Sequence, residues 1–363
     1  MNCYITGTGA YLPGPQVDNE SLPEFMGELD GETELRTKIL RMNGIKYRHY
    51  ALDREQRATH DLYDLAVGAV TRCVDPGGPR IGYLSAGSTN TPLVGPGISS
   101  ILHSRLAESG HVDDSLEINS NTGICTSSAQ ALVNGCRAVA SGDHERALCV
   151  GVEQPSEILK SSVIEPPDDR ADFRDDPSAS KWFMSVFLRS MLSDGAGAFM
   201  LESGPSSEGV SYRVDWTYSR SFANEAPLCM TLQSRSLLLS QDVATLSRHM
   251  KPCVRKLMTG AMTSNGASLS DYRVVLPHLS SFYFRRYMLS VFKEMCREED
   301  GMVDYWTNLE AAGNTGAASL FLMLDEYTRK HPPEHGEKVL LFIPESGQFN
   351  FVVISLTVVR SSS

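Results

Sequence analysis

Several large protein classes are excluded by what this sequence does not contain. The eight cysteines, Cys3, Cys73, Cys125, Cys136, Cys149, Cys229, Cys253 and Cys296, are spread along the chain with no CxxC pair and no histidine cluster at zinc spacing. Neither a structural metal nor a disulfide framework is therefore expected. No window approaches the roughly 18 consecutive apolar residues of a membrane span. The opening residues, MNCYITGTGAYLPG, lack a basic segment leading into a long apolar stretch, so a soluble, cytoplasmic protein is expected. Positive charge is also scarce: 33 Lys and Arg against 44 Asp and Glu leave a net charge of -11. That balance argues against a general nucleic-acid binder and against attachment to anionic lipid.

What is present is an ordinary globular composition, 363 residues with 41% hydrophobic content, enough for two domains or one duplicated domain. Short runs rich in Val, Ile and Tyr alternate with longer helical patterns: CYITGTGAYL, THDLYDLAVGAVTRCV, RIGYLSAGS, GPGISSILHSRLAESG, SLEINS. This is α/β alternation. A Gly/Ser/Pro interruption, Ser203 to Gly209, precedes a restart of the pattern, which divides the chain into residues 1–205 and 206–363. Each half holds a strand, a reactive-looking residue at the strand's C-terminal end, and a following helix. No short-period repeat is visible, so the duplication is one of architecture. Ligands of such folds sit beyond the carboxyl ends of strands, where Cys125 and His278 both fall.

Cys125 stands at a break between a strand and a helix rich in Ala and Ser, in LEINSNTGICTSSAQALVNGC. Metal-ligand spacing is lacking, which leaves a packed thiol or a nucleophile. At a helix start the unpaired backbone N–H groups favour thiolate, and the small neighbours Gly123, Thr126, Ser127 and Ala129 permit close approach of a carbonyl. Cys136, Cys3 and Cys149 read as core. Of nine histidines, His278 alone directly follows an apolar strand, in VVLPHLSSF; the others are expected to be solvated or peripheral. Asn314 lies between two glycines at an expected helix start, in EAAGNTGAASLFLMLDEY, where it is either a turn residue or something more specific. The glycines of GTGAYLPG do not make a dinucleotide site, because Pro13 interrupts where a helix should run.

Taken in order, six stretches resemble the β-ketoacyl-acyl-carrier-protein synthase III family of the thiolase-fold superfamily: YITGTGAYLP, RMNGIKYRHYA, GICTSSAQAL, LSDGAGAFML, LPHLSS and GNTGAAS. The resemblance spans essentially the whole chain. It implies an α/β, thiolase-like fold of two pseudo-duplicated βαβαβαββ halves in a layered αβαβα core, the nucleophile in the first half and His and Asn in the second. It implies a Cys125–His278–Asn314 site that accepts an acyl group on Cys125 and condenses it, with decarboxylation, onto a malonyl-type or β-ketoacyl unit. The oxyanion would be held by the N–H groups of Cys125 and Gly347. It also implies CoA or phosphopantetheine thioesters as substrates without a cofactor, an acyl carrier protein as partner, and a homodimer.

Two departures stand out. PESGQFNF replaces the family's Gly-rich run, and GICTSS replaces the commoner AACAG, changes expected to reshape the acyl pocket and to favour secondary metabolism, polyketide or specialised lipid, over short-chain priming of fatty-acid synthesis. Glu153, in VGVEQPSE, is either a structural acid or the base for a second step such as ring closure to a dialkylresorcinol-type product. Arg248, Lys251, Arg255 and Lys256, with Arg285 and Arg286, form a candidate basic patch for an acidic carrier protein. The stretch Ala179 to Ser190, ASKWFMSVFLRS, supplies large side chains for an acyl tunnel or, more simply, for the core. Rival readings are a non-elongating acyltransferase that passes acyl-Cys to an alcohol or amine, with His278 as base, and a non-catalytic partner subunit. Asn314 argues against the first and the full trio against the second.

Overall fold

The computed structural model describes residues 2–166, 169, 180–296 and 302–361. The strands in chain order are β1 (Tyr4–Tyr11), β2 (Val17–Asp18), β3 (Tyr47–Arg48), β4 (Tyr83–Ser88), β5 (Glu117–Thr122), β6 (Arg146–Glu153) and β7 (Gly195–Glu202). Then follow β8 (Val210–Ser221), β9 (Met230–Leu232), β10 (Leu239–Gln241), β11 (Val274–Pro277), β12 (Asp304–Tyr305), β13 (Lys338–Pro344) and β14 (Asn350–Arg360). Ten of them form one sheet in the order β12-β11-β13-β14-β8-β1-β7-β6-β4-β5.

That order is the same read outward from either side of the β1/β8 junction. On one side β1 pairs antiparallel with β7, β7 antiparallel with β6, and β6, β4 and β5 run parallel. On the other β8 pairs antiparallel with β14, β14 antiparallel with β13, and β13, β11 and β12 run parallel. Parallel neighbours need crossover helices, which is why strand and helix patterns alternate in the sequence.

Period-2 alternation sorts the strand residues between layers. Leu148 and Val150 of β6 face an outer cluster with the helices Leu62–Val70 and Ile98–Glu108. Their neighbours Ala147 and Cys149 face a central cluster instead. In β13, Leu340 and Phe342 pack outward with the helices Val243–Asn265 and Arg285–Met295, while Leu341 and Ile343 face the centre. The central cluster is filled by two helices, Ser127–Ser141 and Ser319–Lys330, whose Leu132, Val133, Leu320 and Phe321 meet strands of both halves. The result is the layered αβαβα arrangement. Cys3, Cys136 and Cys149 lie in that central cluster, as expected of packed thiols.

Candidate active site

The two central helices bring together what the sequence separates by nearly two hundred residues. Strand β5 ends at Thr122, and the chain turns through Gly123–Thr126 before the helix begins at Ser127. Ser128 Oγ donates to the carbonyl of Ala317, tying the start of this helix to the turn that carries Asn314. Asn314 stands two residues before a 3-10 turn, Gly316–Ala318, that runs straight into the helix Ser319–Lys330. It also sits in an isolated parallel bridge with Leu192, and Ser193 N–H donates to its carbonyl at 2.9 Å. His278 follows β11, its N–H donating to the Phe342 carbonyl at 2.8 Å.

Two cavities converge on Cys125. One is walled by Cys125 and His278 together with Leu246, Val254, Met288 and Val291 from the outer helices. The other is walled by Cys125, Glu153 and Asn314 with Ile158, Met191 and Leu239. The β9/β10 hairpin contributes to the second, and Ser280, Gln241 and Ser346 line both. A smaller cleft is bordered by His278 and Asn314 together. Apolar walls with a few convergent polar groups are the usual form of a small-molecule site.

The polar groups are specifically arranged. His278 is buried, and its Nδ1 lies 2.8 Å from Ser319 Oγ, whereas Nε2 has no partner. Burial lowers its pKa to about 4, so the imidazole is neutral at pH 7. Asn314 Oδ1 accepts the Gly316 N–H at 3.0 Å, which leaves its NH2 as the donor available to the cavity. Glu153 Oε1 accepts the Thr89 N–H at 2.9 Å, the Thr89 hydroxyl at 2.6 Å and the Ala317 N–H at 3.3 Å. Burial outweighs these bonds and lifts the Glu153 pKa to about 7.

The thiol of Cys125 behaves differently from the sequence-based expectation. The residue precedes the helix N-cap, Thr126, instead of occupying the first turn. Burial, followed by the nearby charges of Glu345 and Glu153, holds its pKa well above the usual thiol range. A helix start lowers a thiol pKa only where desolvation and like charge do not oppose it.

Glu345 is a site residue that sequence reasoning missed. It is buried, and its Oε2 accepts N–H groups of Ile124 and Thr126 and the Thr126 hydroxyl. Its signal was an acid standing in a stretch expected to be rich in glycine. Thr126 accordingly turns toward Glu345 and away from the cavities, as does the Asn350 amide bonded to its Oγ1 at 2.9 Å; the expected pocket-shaping role of Thr126 is not what the geometry provides. Gly347 accepts N–H groups of Cys229 and Met230 through its carbonyl, at 2.9 and 3.1 Å. From the stretch 179–190, Leu188 lines the second cavity while Trp182 and Val186 pack in a core cluster; Ala179 lies outside the described residues. His49 and His111 are buried, not peripheral, and burial lowers both pKa values.

The six basic residues are not uniformly free. Lys251 and Arg255 pair with Glu294 at 3.2 and 2.6 Å, and Lys256 pairs with Glu225. Arg285 lies over the Tyr305 ring, and Arg286 over Tyr283 and Tyr287. Lys251 also borders the first cavity, with Tyr287 beside it. No described helix is long and apolar enough to cross a membrane.

This layered core, with Cys125 after the edge strand β5 of one half and His278 after β11 of the other, is a fold also found in solved condensing enzymes. No family model matches the sequence. Among solved structures, the chain is similar to 3-oxoacyl-(acyl carrier protein) synthase III, FabH, of Pseudomonas aeruginosa PAO1, with 20% identity, 98% of each chain covered and a TM-score of 0.72. It is similar also to AbyA1, a tetronic acid condensing enzyme, at 20% identity over 98% of this chain and 99% of that one, TM-score 0.76. Acetamide-bound OleA of Xanthomonas campestris gives 16% identity over 98% and 99%, TM-score 0.75.

Proposed function

We propose that this chain is a ketosynthase III-like acyltransferase in which Cys125 takes an acyl group from a thioester and passes it by Claisen condensation to a carrier-bound unit, with decarboxylation where that unit is malonyl and with loss of an α-proton where it is β-ketoacyl. The observation that carries the reading is the convergence at one thiol of two cavities, one bearing His278 and the other Asn314 and Glu153.

The residues divide the work as their chemistry allows. In acylation, the unpartnered Nε2 of neutral His278 takes the Cys125 proton as sulfur attacks the thioester carbonyl. The departing thiol takes that proton back when the tetrahedral intermediate collapses. In condensation, the bond between the malonyl α-carbon and its carboxylate breaks, carbon dioxide leaves, and its electron pair becomes the enolate. Asn314 NH2 and the Nε2–H tautomer of His278 donate to the enolate oxygen, where that charge collects. The carbanion attacks the acyl carbonyl, whose oxyanion is held by Cys125 N–H with Gly347. Collapse expels the Cys125 thiolate, which one proton from solvent restores.

A hydroxyl at Nδ1 suits this cycle. Ser319 Oγ accepts from Nδ1–H when Nε2 is the base and donates to Nδ1 when Nε2 carries the proton. The two apolar cavities suit substrates with two carbon chains, and Glu153 beside Cys125 supplies a base for a second step such as ring closure. That combination, together with the neighbour that is a tetronic acid condensing enzyme, supports a role in specialised polyketide or lipid biosynthesis. Acyl-CoA and acyl carrier protein are the proposed donors and acceptors, with Lys251 at the cavity wall and Arg248, Arg285 and Arg286 nearby as the carrier-facing charges. A homodimer is proposed through β5, which ends the sheet with Ile118 exposed.

The test is acylation followed by discharge. Incubation with acyl-CoA and acyl-carrier thioesters should add one acyl mass at Cys125, and a malonyl-carrier should then remove it with release of carbon dioxide, or a β-ketoacyl-carrier by loss of an α-proton without it. Discharge only by alcohols or amines would instead establish the non-elongating acyltransferase.

A further inference from the structure

Of the two buried acids beside Cys125, the reaction above uses only Glu153. Glu345 occupies the turn between β13 and β14, and its Oε2 accepts the Ile124 N–H at 3.3 Å, the Thr126 N–H at 3.1 Å and the Thr126 hydroxyl. These are the residues on either side of the nucleophile. Both flanking amides are thus committed to one carboxylate, which leaves Cys125's own N–H as the donor of this turn for an oxyanion. The fit is close on the far side as well. A Cβ at residue 347 would stand 2.7 Å from Glu345 Oε1 and 2.9 Å from Ile124 Cγ1, so a side chain there would push the carboxylate or Ile124 from its place. Glu345 is 6% exposed and lines neither cavity, so it is not placed to touch substrate.

We propose that Glu345 is a positioning residue that fixes the nucleophile turn and, through its buried negative charge, keeps Cys125 a thiol until substrate and His278 are in place. The proposal rests on Cys125 being the nucleophile. Burial raises the Glu345 pKa while the donors at Thr126 and Ile124 oppose that rise, and the carboxylate they hold opposes a second negative charge on the sulfur they flank. The charged and titratable groups around the thiol are Glu345 from the β13–β14 turn, Glu153 at the end of β6, His278 after β11, Lys251 of the helix Val243–Asn265 and Tyr287 of the helix Arg285–Met295. Only Glu345 is bonded directly to the nucleophile turn. The consequence is a nucleophile that resists random alkylation and oxidation at neutral pH and whose acylation depends on proton transfer to His278.

The experiment is the pH dependence of iodoacetamide alkylation at Cys125, followed by peptide mass spectrometry on the folded, substrate-free protein from neutral to alkaline pH. Glu345→Gln, which keeps the shape and removes the charge, should shift the profile to lower pH and raise the neutral-pH rate by about tenfold, the change expected for one pKa unit. Glu345→Asp, which keeps the charge, should stay near the wild-type rate. Glu345→Ala replaces the Gln variant should that one not fold, with the same expected direction. A neutral-charge variant whose alkylation profile matches the wild type would overturn the proposal. Acyl loading is measured in parallel. A wild type that alkylates but never acylates contradicts the proposed function, while the Glu345 comparison still stands or falls on its own profile.

Discussion

A Cβ at Gly316 would stand 3.0 Å from Cγ of Glu153 and 3.3 Å from its Oε1, so the acid lies against the Asn314 turn because residue 316 has no side chain. Gly316 also adopts a φ of +50°, a left-handed conformation costly for other residues. Gly316→Ser should therefore destabilise the fold by about 1–3 kcal/mol and displace Glu153 from the cavity. Thermal unfolding reads the first effect. Product analysis reads the second, which should fall on the later steps more than on acylation.

Glu153 itself titrates in the neutral range because burial lifts its pKa to about 7 from an ordinary value of 4.5. A raised carboxyl pKa means that the folded state binds the proton more tightly than the unfolded state. Its contribution is fully present below pH 4.5 and is lost as pH rises through about 7. Glu153→Gln removes that dependence, so denaturant unfolding at acidic and neutral pH should differ less in the variant than in the wild type. If Glu153 is the base of a second step, the same variant should slow that step by about a hundredfold or more and flatten its rise through neutral pH, with Cys125 acylation left largely intact.

Ser319 gives His278 a partner that suits either tautomer. Ser319→Asp offers Nδ1 an acceptor only and should fix Nδ1–H, preserving acylation and lowering malonyl decarboxylation by about tenfold or more, the scale of one lost oxyanion-type hydrogen bond. Nitrogen-15 shifts of the His278 ring should report the tautomer directly. Equal losses in both half-reactions would show that Ser319 merely packs against the ring.

The charge patch gives a narrower expectation than its composition suggests. Lys251, Arg255 and Lys256 are already paired with Glu294 and Glu225, and surface pairs of this kind contribute little to stability. Charge reversal at Arg248 or Arg286 should raise KM for carrier-bound substrates severalfold and leave acylation by small acyl thioesters unchanged. Steady-state kinetics with the two substrate types separates these outcomes.

Much of this site is legible in sequence because strand-to-helix breaks carry it. His278 follows a strand whose apolar run announces it, and Cys125 stands at the break between a small polar run and a helix rich in Ala and Ser, positions that local pattern places well. Asn314 was found by its flanking glycines, yet its bridge to Leu192 was not, since pairing between distant segments leaves no local trace. Glu345 escaped notice because its role depends on the turn that Ile124 and Thr126 form more than two hundred residues earlier. The sign of the Cys125 pKa escaped for the same reason: helix position is local, while burial and neighbouring charge are products of the whole fold. Glu153 could be singled out at its strand end, whereas its fit beside Gly316 required the packed structure.

The central claim is that Cys125 carries the acyl group and that His278 and Asn314 drive its condensation. Intact-mass spectrometry of the wild type, Cys125→Ala, His278→Ala and Asn314→Ala, loaded with acyl thioesters and then challenged with a malonyl-carrier substrate, tests it most directly. The account predicts an acyl adduct on the wild type that the malonyl substrate discharges with carbon dioxide, no adduct on Cys125→Ala, and a persistent adduct on acylated Asn314→Ala. An acyl adduct on Cys125→Ala, or discharge of the wild type without decarboxylation, would contradict it.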